Sequence, residues 1–172
     1  MLYHVSENPS IRAFTPRMPP TTNMQLIDPV VWAVDEDRLY NYMLPRDCPR
    51  VTFQALAESS KIDRDYFFAN SNSRRVVAIE SAWLPSVTST TLYIYKFSTP
   101  SFSCIDSNAG YYVSRQTIIP ESMRVIDNLL SELNKMGIEL RVLPELLKLA
   151  AEVSTSTLGF SCIRLRNAGR VA

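Results

Sequence analysis

Proline constrains this chain more than any other residue type. Of its eleven prolines, Pro9, Pro16, Pro19 and Pro20 crowd the stretch from Asn8 to Asp28. Each fixes φ and removes a backbone donor, so neither a helix nor a fully paired strand runs comfortably through that stretch. It follows Leu2–Ser6, a short segment that reads as a first strand. The chain must therefore send a long extended loop over its surface. A loop of that length inside a compact domain is a candidate lid or pocket wall.

The remaining elements are short. Val30–Val34 is almost wholly apolar and predicts a buried strand. It runs into Asp35-Glu36-Asp37-Arg38, an acidic helix start, with Leu39, Tyr42 and Met43 turned inward and Pro45 as the stop. Arg50–Leu56, Val76–Ser81 and Leu92–Phe97 predict further strands, the last half-buried, and the polar segment 57–75 predicts a loop or short helix. Gly110–Ser114 and Thr117–Ile119 predict two short strands. Pro120 can open a helix without losing a bond, and Met123, Ile126, Leu129, Leu130 and Leu133 then recur at helical spacing up to Gly137. Ile138–Leu143 predicts a strand, Pro144–Ser154 a helix and Phe160–Arg166 a final strand. Short strands and about three helices, clustered rather than alternating, predict an α+β fold with mostly antiparallel pairing. A length of 172 residues suits a single globular domain, 1–172.

No run of apolar residues is long enough for a spanning helix, and Met1–Phe14 has neither the basic start nor the apolar core of a signal peptide. The expectation is a cytoplasmic protein without a membrane partner. The 18 basic and 17 acidic residues nearly cancel, which argues against nucleic-acid binding through overall charge. Most of the basic residues are arginine, the side chain suited to forked contacts with phosphate or carboxylate. Cys48, Cys104 and Cys162 are widely spaced and odd in number, so neither a disulfide framework nor a metal site is expected. Cys162 reads as a core residue.

Only four glycines are present, and no phosphate-cradling glycine loop is among them. His4 is the sole histidine. It shares a strand face with Leu2 and Ser6, where a histidine and a hydroxyl suit either the floor of a cleft or a core bonded to a backbone carbonyl. Leu44-Pro45-Arg46-Asp47-Cys48-Pro49-Arg50 offers Arg46 and Arg50 to an anion, or else Asp47 pairs with one arginine to hold the turn. Arg164 and Arg166 fall on one face of the last predicted strand, lining a groove or coating an edge. Tyr111, Tyr112 and Arg115 have the composition of a base-stacking strand, and equally that of a packed core.

Leu2-Tyr3-His4-Val5-Ser6-Glu7, Val31-Trp32-Ala33, Leu44–Val51 and Phe160–Ala168 together resemble a family of small uncharacterised bacterial proteins, a domain of unknown function. The opening strand, the apolar strand after it and the acid-started helix are also similar to ADP-ribosyltransferase-like folds. That resemblance implies NAD as ligand, with His4 bonding the ribose next to the nicotinamide and Tyr40 or Tyr42 as the stacking aromatic. It implies a catalytic glutamate as well, but no Glu-x-Glu or Gln-x-Glu pair occurs near the end of the chain. Glu121 and Glu139 match poorly, so no catalytic residue is assigned and enzymatic activity is left open. The expected function is binding of NAD or another nucleotide, or of a related phosphate-bearing molecule, in a cleft over the first strand. His4, Ser6, Arg12, Arg17, Arg46, Tyr112 and Arg115 are its candidate residues. The alternative is a non-enzymatic interaction domain, with helix Pro144–Ser154 as a homo-oligomer surface.

Overall fold

Ten short strands and four helices form among the described residues, and none of the helices is long and apolar enough to cross a membrane. The computed structural model describes residues 1–18 and 28–169. In chain order the strands are β1 Leu2–Ser6, β2 Val31–Asp35, β3 Arg50–Gln54, β4 Arg75–Glu80, β5 Leu92–Phe97, β6 Ser103–Asp106, β7 Tyr111–Ser114, β8 Ser122–Ile126, β9 Ile138–Leu143 and β10 Gly159–Ile163. The helices are α1 Lys61–Phe68, α2 Leu84–Ser89, α3 Leu129–Lys135 and α4 Leu147–Ser154. The fold is α+β, with one more helix than the sequence suggested.

The chain divides into two compact units. The first unites the chain up to Met43 with Thr91–Ile126. Its six strands form one antiparallel sheet in the order β6-β7-β2-β1-β5-β8. Leu2, Val31, Ala33, Tyr95, Phe97 and Ile118 make its core, with Ile11 and Phe14 packed against them. Two-way backbone bonds join Phe14 to Ile118 (2.8 and 2.9 Å) and Arg17 to Val30 (both 3.0 Å). Pro16 thus lies between two isolated bridges in the segment that wraps this unit, and Pro9 in the stretch that leads to them from β1. Pro19 and Pro20 of the expected loop lie outside the described residues.

The second unit takes Leu44–Thr90 and the chain from Asp127 on. Its sheet runs β10-β3-β4-β9, with only the β4–β9 pair parallel. Val51, Phe53, Val76 and Ala78 bury one face of this sheet among Phe67 of α1 and Ala150 and Val153 of α4. The apolar side of α4 is thereby committed to the core, although Leu147 stays exposed.

Five expectations need correction. Thr117–Ile119 forms no strand, only an isolated bridge from Ile118 to Phe14. The helix expected from Pro120 to Gly137 is two elements. Ser122–Ile126 pairs antiparallel with β5, and α3 starts only at Leu129, where Asn128 Oδ1 accepts the Ser131 N–H at 2.9 Å. Ser122, Met123, Arg124 and Val125 satisfy a two-residue period as well as a helical one, and an open edge of β5 selected the strand. The acidic stretch after β2 yields only a single 3-10 turn, Leu39–Tyr42. The last strand stops at Ile163, because Arg164 turns left-handed (φ 56) into a 3-10 turn. Arg164 and Arg166 therefore share no strand face. Cys162 is exposed on the edge strand, and Cys48 is the buried thiol.

Candidate functional site

The strand alternation of β1 places Leu2, His4 and Ser6 opposite Phe97, Tyr95 and Tyr93 of β5. The wrapping segment crosses this face. Its Phe14 ring lies 4.8 Å from His4, 5.2 Å from Tyr95 and 4.9 Å from Phe97, centre to centre. His4 Nδ1 stands 3.1 Å from the Trp32 carbonyl, which can only accept, so that nitrogen carries the hydrogen. One ring nitrogen of His4 is thus occupied by the sheet, and the ring supports Phe14.

Past β1 the backbone is held turn by turn. Ser6 Oγ accepts the Asn8 N–H at 3.1 Å, and Asn8 Oδ1 accepts the Ser10 N–H at 2.9 Å. Such side-chain turns fix a loop that proline already stiffens. The Tyr95 hydroxyl donates to the Asn8 carbonyl at 2.7 Å and accepts from the Ile11 N–H at 3.3 Å. Ser10, Ile11 and Arg12 become one wall of an open cleft of about 460 Å³, with Tyr95, Ser122 and Met123 facing them. Arg12 is exposed, and its guanidinium has no side-chain partner among the described residues. The cleft therefore combines one unneutralised cation, hydroxyls from Ser10 and Ser122, and apolar surface from Ile11 and Met123.

Residues 3–168 match a family of unknown function, DUF6886. The chain belongs to that family. No curated protein and no solved structure matches it, and nothing found supports an ADP-ribosyltransferase-like fold. Membership of DUF6886 spans the cleft and both arginine-bearing motifs, and brings no activity with it.

Of the candidates drawn from the sequence, only Arg12 lines the cleft. Ser6 acts one step behind it through the turn, and His4 supports the same face. Arg17 contributes its backbone to the bridge with Val30. Arg115 is exposed and ion-paired with Asp28 at 3.2 Å. Tyr112 sits on β7 opposite Ala33 and packs against the core; its hydroxyl is pushed up in pKa, chiefly by the neighbouring Cys104 and then by burial.

Arg46 belongs to the second unit. There the Leu44–Arg50 motif meets the Phe160–Ala168 motif. Arg164 Nε donates to the Arg46 carbonyl at 3.3 Å, and Asn167 Nδ2 donates to the Asp47 carbonyl at 2.7 Å. Arg50 is buried and donates from Nη1 to the carbonyls of Pro45 (2.9 Å) and Cys48 (3.0 Å). It staples the loop from inside, so Arg46 and Arg50 form no common fork. Burial pushes the Cys48 thiol up to about 12, against the opposing influence of Arg50, so it stays protonated and unreactive at neutral pH.

Tyr95, Ser10 and Ser122 were missed as cleft residues. Only the β1–β5–β8 pairing brings these distant positions together, and no local spacing signals it.

Proposed function

We propose that this protein binds a small phosphate-bearing molecule of the nucleotide class in the cleft beside β1. The observation that carries this reading is the Arg12 guanidinium, which has no side-chain partner among the described residues, on a wall fixed by Tyr95 and flanked by two serine hydroxyls. An arginine held in this way can fork onto phosphate oxygens. Ile11 and Met123 supply an apolar surface for a base or ribose. No acidic side chain lines the cleft, so the proposal is one of binding and assigns no turnover, and His4 serves as a support of the wall.

The test is thermal unfolding with and without about 1 mM AMP, ADP and NAD, repeated on Arg12→Ala. A Kd near 10 μM adds about 2.7 kcal/mol at that concentration, a Tm rise of roughly 5 °C for a chain of this size. The expected result is a rise with at least one nucleotide that Arg12→Ala abolishes. A wild-type Tm that stays flat with all three ligands overturns the proposal.

The interaction reading has one specific support. Ile62 and Tyr66, a turn apart on α1, are 80% and 65% exposed, an apolar pair that a partner would cover. Light scattering that shows a concentration-dependent dimer in wild type and a monomer in Ile62→Asp would favour self-association. Equal masses for the two proteins would rule it out at this surface.

A further inference from the structure

A second cleft, in the second unit and independent of the first, has a different chemistry. It occupies about 540 Å³ beside the connections that flank α1, and Leu56, Arg64, Phe68, Asn72 and Arg74 line it. Both arginines are exposed, and neither guanidinium has a side-chain partner among the described residues. No acidic side chain lines this cleft.

Local bonding explains why Arg64 has no acidic partner among the described residues. The acids next to Arg64 on α1 are engaged elsewhere. Asp63 accepts from both the N–H and the hydroxyl of Thr157, while Asp65 pairs with Lys61. Other arginines of the same unit are committed to the protein. Arg50 binds the Pro45 and Cys48 carbonyls, and Arg141 binds Glu139 and the Phe67 carbonyl. Arg64 and Arg74 instead bring two positive charges to one concavity with no acidic side chain to neutralise them among the described residues.

Hydrogen bonds brace the backbone around them. Ser60 Oγ accepts the Asp63 N–H at 3.1 Å and caps the helix that carries Arg64. On the other side the Ser73 hydroxyl has the carbonyls of Arg75 (2.7 Å) and Gly137 (2.6 Å) in reach of its one hydrogen and accepts the Arg75 N–H at 3.1 Å, and the Arg74 carbonyl accepts the Ala55 N–H at 3.0 Å. The backbones that carry both arginines are thus held by their own bonds before any ligand arrives, which lowers the entropy lost on binding.

We propose that Arg64 and Arg74 form a phosphate-binding site for a phosphomonoester dianion. Two guanidinium groups match the two charges and the several acceptor oxygens of such a group. Asn72 adds an amide donor. Phe68 and Leu56 give the ester's organic part an apolar wall, so an aryl or alkyl phosphate binds more tightly than inorganic phosphate. The site is separate from Arg12, and its ligand is defined by charge more than by shape.

Calorimetric titration with phenyl phosphate, inorganic phosphate and pyrophosphate, at low and at moderate salt, tests this. The expected result is binding of phenyl phosphate that is tighter than that of inorganic phosphate and weakens as salt rises. Arg64→Ala and Arg74→Ala should each lower the affinity at least tenfold, with Arg64→Lys intermediate and Tm nearly unchanged because both side chains are exposed. Arg12→Ala should leave the titration as in wild type, which separates this site from the first cleft. Pyrophosphate binding alone, no binding of any probe at millimolar concentration, or binding that survives the Arg64→Ala/Arg74→Ala double variant would each overturn the proposal. Loss of the signal in Arg12→Ala alone would overturn it too, by assigning the binding to the other cleft.

Discussion

The Tyr95 hydroxyl and the Asn8 carbonyl lie 2.7 Å apart, and this bond fastens the proline-rich segment to β5, the strand between β1 and the edge strand β8 of the six-stranded sheet. Tyr95 is only 1% exposed, so Tyr95→Phe leaves both Asn8 O and Ile11 N without their partner. The expected cost is about 1–3 kcal/mol by urea denaturation. The same change loosens the wall that carries Arg12, so nucleotide affinity should fall as well. An unchanged denaturation midpoint would show that Phe14 and the bridges to Ile118 and Val30 hold the segment without Tyr95.

Arg50 is a structural arginine. Replacing it with Met removes the donor that serves the Pro45 and Cys48 carbonyls in a buried loop, at a cost of about 3 kcal/mol. Arg46→Met, at an exposed position on the same loop, should change stability by less than about 0.5 kcal/mol. Equal effects from the two variants would refute the assignment of Arg50 as the staple.

The three thiols should separate by rate under maleimide labelling followed by peptide mass spectrometry. Cys104 is exposed and reacts first. Cys162 is also exposed on the edge strand, but its surroundings push its thiol up, which slows it. Cys48, buried and raised to about 12, should react only on unfolding. Early labelling of Cys48 in folded protein would contradict this packing.

Asp63 makes part of the stability pH-dependent. Hydrogen bonds from Thr157 and Ser60 hold its carboxyl below its ordinary value of 3.8. A carboxyl depressed on folding contributes stability above the unfolded value, and that contribution is lost as pH falls through the folded one. Wild type should therefore weaken below about pH 4 more steeply than Thr157→Val, when the two are compared by urea midpoint at successive pH values. Parallel acid limbs would remove Asp63 as a contributor.

Gly110 and Gly137 both have positive φ, at 66° and 68°, but their surroundings differ. A Cβ at Gly110 would come within 2.6 Å of the Asp35 carboxylate, which already accepts the Arg38 N–H, whereas one at Gly137 meets nothing within 4 Å. Gly137→Ala should cost about 1–2 kcal/mol, from left-handed strain alone. Gly110→Ala should cost distinctly more. Similar Tm losses in the two variants would show that the Asp35 side chain yields freely.

The sequence by itself determined the α+β class and most strands, because runs such as Val31–Val34 and Val76–Ile79 have no other way to bury their apolar side chains. It marked His4 and Ser6 as sharing a strand face and placed Arg12 among the candidates. It did not determine whether Ser122–Ile126 is helix or strand, since those residues fit both periods and only the free edge of β5 chose between them. Nor did it show that Arg164 leaves the last strand left-handed, or that Arg50 turns inward while Arg46 stays outside. The clefts lay further out of reach. Tyr95 and Ser122 join Arg12 only through strand pairing, and Arg64 is a candidate only because Asp63 and Asp65 beside it found other partners, while Arg74 meets it only across the fold. Periodicity is a local property and can be read from the chain. Whether a charge is neutralised depends on which distant groups the fold brings within a few ångströms, and only the tertiary structure decided that.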